Sequence, residues 1–141
     1  MDKKTILNIE NISKTYRNED IQVPALIDVS LAIEEGEFVM ITGHNGSGKS
    51  TLLHQLGLLD MPDKGKIILN DRDVVSMDEG NRTKLRLKYL GYIFQEYALI
   101  AELTALENVM LPAMLIGNSC DARKKAVEIF RKVNLEKKVN R

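Results

Sequence analysis

The nine residues Gly43 to Thr51, GHNGSGKST, constrain this chain more than any other stretch. They hold three glycines, a lysine and three hydroxyl residues. Before them stands a short apolar run, EFVMIT, and from Lys49 onward KSTLLHQLGLL has the pattern of a helix. Gly43-His44-Asn45-Gly46-Ser47-Gly48-Lys49-Ser50 fits G-x-x-x-x-G-K-[S/T], and the strand-before, helix-after context separates a phosphate-binding loop from a Gly-rich turn with a solvated lysine. The residue types supply the chemistry. Glycines let successive backbone N–H groups turn into one concavity that accepts an anion. A helix from Lys49 aims its positive dipole end at the same place. Lys49 is expected to reach the β- and γ-phosphates of a nucleotide, and Ser50 to offer its hydroxyl to Mg²⁺. Gly46 and Gly48 are expected in backbone conformations that a Cβ would hinder.

Length and charge bound the rest. A chain of 141 residues is one domain's worth. Lys and Arg number 20 and so do Asp and Glu, so no net basic field draws the chain to nucleic acid or anionic lipid, and no nucleic-acid partner is expected. The single cysteine, Cys120, excludes an internal disulfide and fits a reducing compartment. The opening Met1-Asp2-Lys3-Lys4 leads into an alternating stretch, so no signal peptide is expected. VMLPAMLI is far short of the roughly 20 apolar residues of a membrane span, and Pro112 interrupts it.

Along the chain, Leu7 and Ile9, and then Val29, Leu31 and Ile33, alternate as in half-buried strands, expected to be antiparallel neighbours with a polar stretch between Asn18 and Pro24. EFVMIT and YLGYIF read as strands, the first buried on both faces, and KIILND as another. DMPDKG is a turn rich in breakers that ends the helix begun near Lys49. Thr104 with Glu107 three residues on predicts a capping box and a helix start. Asp121 is expected to cap a last helix whose buried face carries Ala126, Phe130 and Val133. The alternation of strands and helices predicts α/β architecture beside a small antiparallel sheet.

Three further stretches narrow the family: Tyr16 in ISKTY, Gln95 in GYIFQE, and LTALENVMLP. With GHNGSGKSTLL they resemble the ATP-binding cassette (ABC) transporter ATPases. LGYIFQEYALIAELTALENVMLP is most similar to the subunits paired with lipoprotein-releasing and macrolide-export permeases. The resemblance runs from about Thr5 to the last residue, and Asn45 stands where the closest subgroup more often has Ser. It implies an α/β P-loop NTPase (ABC ATPase) core, incomplete, with a small antiparallel β subdomain and the start of a helical subdomain. Residues 1–141 then form the N-terminal part of one nucleotide-binding domain.

The same resemblance implies site roles. Tyr16 stacks on adenine, while Gly43, His44, Asn45, Gly46, Ser47, Gly48, Lys49, Ser50 and Thr51 hold the phosphates of ATP. Gln95 joins Ser50 in the Mg²⁺ shell and reaches toward the attacking water, so that Gln95 and Lys49 are the catalytic candidates. Tyr97, Leu99, Ile100 and Leu103, next to Gln95, would form the groove for a permease's cytoplasmic helix; the alternative makes them ordinary core. A second ATPase subunit is implied for the full-length protein, at the cytoplasmic, inner face of the cell membrane.

Other features carry no chemistry. Asp71 after IIL imitates the end of a Walker B strand, but no Glu follows, and in the resembled family it belongs to a hairpin. His44 and His54 lack metal-ligand spacing, and His54 reads as a helix side chain. Arg82, Lys84, Arg86 and Lys88, alternating with Leu85 and Leu87, read as a solvated helix face, and Cys120 as a loop thiol. The signature L-S-G-G-Q, the Walker B Asp-Glu and the switch histidine of the family do not occur in these residues. Binding of ATP without turnover is therefore expected. A nucleotide-binding regulatory module that never hydrolyses ATP is the alternative; a P-loop kinase or GTPase is disfavoured, since no guanine-recognition motif is present.

Overall fold

The computed structural model describes residues 4–18, 21–117 and 119–140. Met1 to Lys3, part of the stretch from which the absence of a leader was expected, lie outside them. The chain forms two compact units, Met1–Arg82 and Thr83–Arg141.

The first unit is built on a four-stranded antiparallel sheet of order β2-β1-β3-β4. Its strands are β1 (Thr5–Asn18), β2 (Ile21–Glu34), β3 (Lys64–Leu69) and β4 (Arg72–Asp73). The two long strands pair almost to their adjoining ends, Asn18 opposite Ile21, so most of the stretch expected to separate them is itself strand. Alternation works as expected on β1, where Leu7 and Ile9 are buried and face Leu69 and Ile67 across β3. Val29, Leu31 and Ile33 are half-buried while Ser30 and Ala32 between them are exposed. Asn70 and Asp71 make the tight β3–β4 turn, both with positive φ (47° and 63°), which Asn and Asp tolerate best among residues with a Cβ. Asp71 is thus the hairpin residue expected of it.

Helix α1 (Lys49–Leu56) follows the Gly-rich loop. It ends at Gly57, and the turn through Asp60 to Asp63 is stitched to β1: the Asp63 N–H donates to the Ser13 carbonyl (2.8 Å), and the Thr15 N–H donates to the Asp63 carboxylate (2.7 Å). Helix α2 (Glu79–Tyr89) starts at the end of the first unit. Arg82 pairs with Glu79 at 3.0 Å, and Leu85 is buried.

In the second unit α3 (Ala105–Leu115) packs on α4 (Ser119–Lys132) through Leu106, Ala126 and Phe130. The capping box is present: the Glu107 N–H donates to the Thr104 hydroxyl (3.3 Å), and the Thr104 N–H donates to the Glu107 carboxylate (2.8 Å). These bonds hold the Glu107 carboxyl below the ordinary glutamate range. Pro112 lies inside α3 without ending it. No helix among the described residues is long and apolar enough to cross a membrane.

Five local expectations are corrected. EFVMIT and YLGYIF are not strands: residues 37–43 and 90–94 are irregular, Phe38 is 88% and Ile93 95% exposed. A strand exists through its neighbours' hydrogen bonds, and among the described residues neither run pairs with another. Asp121 does not cap α4; the helix is already under way at Ser119, and Asp121 sits in its first turn near the positive end. Val133 lies beyond α4 and is exposed, because the chain turns at Asn134 with φ 59°. Cys120 falls in the first turn of α4 and not in a loop, and its side chain lies outside the described residues.

Candidate functional site

The loop from Gly43 to Ser47 is exposed and leads into α1 through its N-cap, the half-buried Gly48. No side chain among the described residues caps this helix, so its first-turn N–H groups stay available to an anion. Gly46 and Gly48 have φ of 81° and 89°, the left-handed region where a Cβ is strained. For Gly48 a second constraint applies. A Cβ there would stand 2.4 Å from the Ala25 carbonyl oxygen and 3.2 Å from Leu26 Cδ2, so the loop's last glycine lets α1 press directly on β2.

That contact depends on an irregularity in the sheet. Lys14 pairs with Leu26 but Thr15 pairs with Pro24, which leaves Ala25 unpaired as a bulge. Pro24 is tolerated because β2 is an edge strand. Tyr16 lies opposite Val23, two residues from the bulge that touches Gly48. A single stretch of β2 therefore faces both the strand of Tyr16 and the start of α1.

The Lys49 ammonium donates to the His44 carbonyl at 2.7 Å, so the one cation of the motif is drawn onto the loop backbone. Ser50 is exposed in the first turn of α1, Thr51 is half-buried beside it, and His44, Asn45 and Ser47 are exposed on the loop. Left-handed glycines, uncapped N–H groups, a cation against the loop and a hydroxyl on the first turn are a donor set that fits a nucleoside polyphosphate with Mg²⁺. His54 lies within α1.

Tyr16 is 42% exposed. Its hydroxyl donates to Asp60 at 3.1 Å, and the Lys14 ammonium stands 5.5 Å from its ring centroid. Lys14 also donates to Asp60 (2.8 Å) and to the Met61 carbonyl (2.7 Å). Lys14, Asp60 and Ala25 were not singled out from the sequence. Lys14 had a visible signal, since it lies two residues before Tyr16 on a strand; Asp60, separated from Tyr16 by the whole of β2 and α1, had none.

Gln95 belongs to the second unit, in an exposed bend and not at a strand end. After it, Tyr97 is 94% and Leu99 68% exposed, and Ile100 is exposed as well, so these three are not ordinary core, while Leu103 is half-buried. Leu99 and Ile100 border a groove of about 330 Å³ with Val109, Pro112 and Phe130. Asn108 pins the segment: the Ile100 N–H donates to Asn108 Oδ1 (2.9 Å), and Asn108 Nδ2 donates to the carbonyls of Ile100 (3.0 Å) and Leu103 (3.1 Å).

Comparison with known proteins gives this geometry a context. The family described as ABC transporter matches residues 26–141. The lipoprotein-releasing system ATP-binding protein LolD of Ehrlichia chaffeensis is 42% identical over 139 residues, covering 96% of this chain and 58% of LolD. The macrolide export ATP-binding/permease protein MacB of Chlorobaculum tepidum is 42% identical over 130 residues, covering 92% of this chain and 20% of MacB. Among solved structures, the dimeric post-hydrolysis state of the ATP-binding cassette MJ0796 bound to ADP and Pi aligns with a TM-score of 0.86 at 38% identity, over 95% of this chain and 60% of that one. The chain thus spans about three fifths of the length of the LolD relative and one fifth of the MacB relative.

Proposed function

Because the chain belongs to the ABC transporter family, we propose that it is the N-terminal part of a nucleotide-binding domain that couples ATP to transport by a partner permease. Its fold is that of a partial ABC ATPase cassette, and its relatives are LolD and MacB ATP-binding proteins at about 40% identity. The observation that carries the proposal is the loop from Gly43 to Thr51: two left-handed glycines lead without a side-chain cap into a helix that opens with Lys49 and Ser50.

In this reading Gly43 to Gly48 turn their N–H groups toward the phosphates, and α1 adds its positive end. Lys49 exchanges the His44 carbonyl for the β- and γ-phosphates. Tyr16 offers its ring to adenine. Ser50 would hold Mg²⁺, which when bound neutralises charge on the β- and γ-phosphates. Hydrolysis further needs a group that orients the attacking water and a neighbour's signature segment over the γ-phosphate. L-S-G-G-Q, an Asp-Glu strand end and the switch histidine do not occur in these 141 residues, so the chain binds ATP and does not turn it over. The groove beside Leu99 and Ile100 is the permease's docking place, an exposed apolar surface of the kind that marks an interface. A second ATPase subunit completes the site in the full-length protein, which works peripherally at the cytoplasmic face of the cell membrane.

The test is a titration of the chain with a fluorescent ATP analogue and Mg²⁺, beside a phosphate-release assay, with Lys49→Ala in parallel. Saturable binding lost in Lys49→Ala, without phosphate release, is expected. Turnover that disappears in Lys49→Ala would show that these residues contain a catalytic base and overturn the reading of binding alone.

A further inference from the structure

The geometry points to Asp60 as the positioning residue that fixes Tyr16 for the nucleotide base, tying the base-stacking ring to the helix that carries the phosphate loop. The inference rests on the reading of Tyr16 as the stacking residue. It begins from where Asp60 sits. The residue is in the turn that follows α1, the helix whose first residues are Lys49 and Ser50, yet its carboxylate reaches β1. One oxygen accepts from Lys14 (2.8 Å) and from the Met61 N–H (2.8 Å), and the other accepts from the Tyr16 hydroxyl (3.1 Å).

An exposed tyrosine on a strand is free to swing about its χ angles. Here three things limit it. The hydroxyl is held by Asp60. Lys14, on the same face of β1 two residues back, stands 5.5 Å from the ring centroid, within cation–π range. Lys14 is itself fixed, since its ammonium is shared between Asp60 and the Met61 carbonyl and its side chain is only 14% exposed. A ring backed in this way presents its accessible surface in one orientation, and that saves the ordering cost a base would otherwise meet on stacking.

Asp60 is also ionised where this matters. Burial works against its charge, but the hydrogen bonds from Lys14, the Met61 N–H and the Tyr16 hydroxyl outweigh it and hold the carboxyl below the ordinary aspartate range. The tie has a geometric consequence. The base platform and the phosphate loop are referenced to opposite ends of one eight-residue helix, so the spacing between adenine and phosphates is set by α1 and not by the loop alone.

The experiment compares two probes on the 141-residue chain, Mg-ATP and Mg-tripolyphosphate, which share phosphate chemistry but differ in the base. Variants are Tyr16→Ala, Tyr16→Phe, Asp60→Ala and the double variant Tyr16→Phe/Asp60→Ala. Tyr16→Ala should weaken ATP about fivefold, the value of an aromatic stack, and leave tripolyphosphate unchanged. Asp60→Ala and Tyr16→Phe should each weaken ATP between about twofold and fivefold, again without effect on tripolyphosphate, and the double variant should lose no more than either alone. If Tyr16→Ala weakens ATP but Asp60→Ala and Tyr16→Phe do not, stacking stands and the positioning role is refuted. Equal loss of both probes in Asp60→Ala makes Asp60 a support of the fold only, which also refutes it. If Tyr16→Ala leaves ATP binding intact, the stacking reading itself fails and takes this inference with it.

Discussion

Adding one methyl group at Gly48 and, separately, at Gly46 distinguishes two constraints on the Gly-rich loop. At both positions φ is left-handed, 89° and 81°, which costs a residue with a Cβ roughly 1–2 kcal/mol. Gly46→Ala meets nothing further, because among the described residues no atom beyond its chain neighbours lies within 4 Å of the new Cβ. Gly48→Ala places it 2.4 Å from the Ala25 carbonyl oxygen, a backbone atom that cannot rotate away. Something must shift, and forcing an extra methyl into a packed contact costs typically about 1–3 kcal/mol. The sums are about 1–2 kcal/mol for Gly46→Ala and about 2–5 kcal/mol for Gly48→Ala. At about 3 °C per kcal/mol for a chain of this length, the midpoints fall by about 3–6 °C and about 6–15 °C. Thermal unfolding followed by far-UV circular dichroism measures both, with no nucleotide present. Equal midpoints for the two variants would show that α1 does not press on β2 at Ala25. The practical corollary is that lost nucleotide binding in a Gly48 variant is not by itself evidence about phosphates; Gly46→Ala is the cleaner probe.

Two further outcomes follow from groups away from the loop. Gln55 on α1 is fully buried, and neither amide atom has a hydrogen-bond partner among the described residues; Gln55→Leu should raise stability by about 1–3 kcal/mol in urea unfolding, and a lower midpoint would mean the amide has a partner after all. Thr104→Ala should cost about 1 kcal/mol through loss of the α3 cap. Because Glu107 is held below its ordinary range by the Thr104 bonds, its part of the capping box is present in full above the ordinary glutamate range and is lost as pH falls through the depressed value. The gap between parent and Thr104→Ala should therefore narrow on acidification, and a gap independent of pH would refute the role of the carboxylate.

What the sequence disclosed is what local chemistry decides. The capping box at Thr104 and Glu107, the β3–β4 turn at Asn70 and Asp71, the antiparallel pairing of β1 with β2 and the helix opening at Lys49 all rest on residues within a few positions of one another, or on alternation along one strand. The failures share a cause too. EFVMIT and YLGYIF have the composition of buried strands, but composition cannot supply the neighbours that make a strand. At the site, the loop was legible because its motif is contiguous. The Asp60 carboxylate bridging Lys14 and Tyr16, and the Ala25 bulge beneath Gly48, were not, since each joins residues more than twenty positions apart through the fold of the sheet. Ala126 and Phe130 followed the helical period onto the α3 face; Val133, one turn further, missed it because α4 had already ended.

The double attachment of α1 also sets how its backbone meets solvent over time. A helix of eight residues is too short to persist alone in water. Its start leans on β2 through Gly48 and Ala25, and the turn after it is stitched to β1 through Asp60 and Asp63. An amide such as Leu52, bonded to the Gly48 carbonyl at 2.8 Å, is then expected to trade its hydrogen for deuterium in openings that also loosen the β1–β2 pair. Its exchange is expected to track that of the strand amides as one cooperative unit, so the protons of a two-turn helix should report on the sheet to which it is attached.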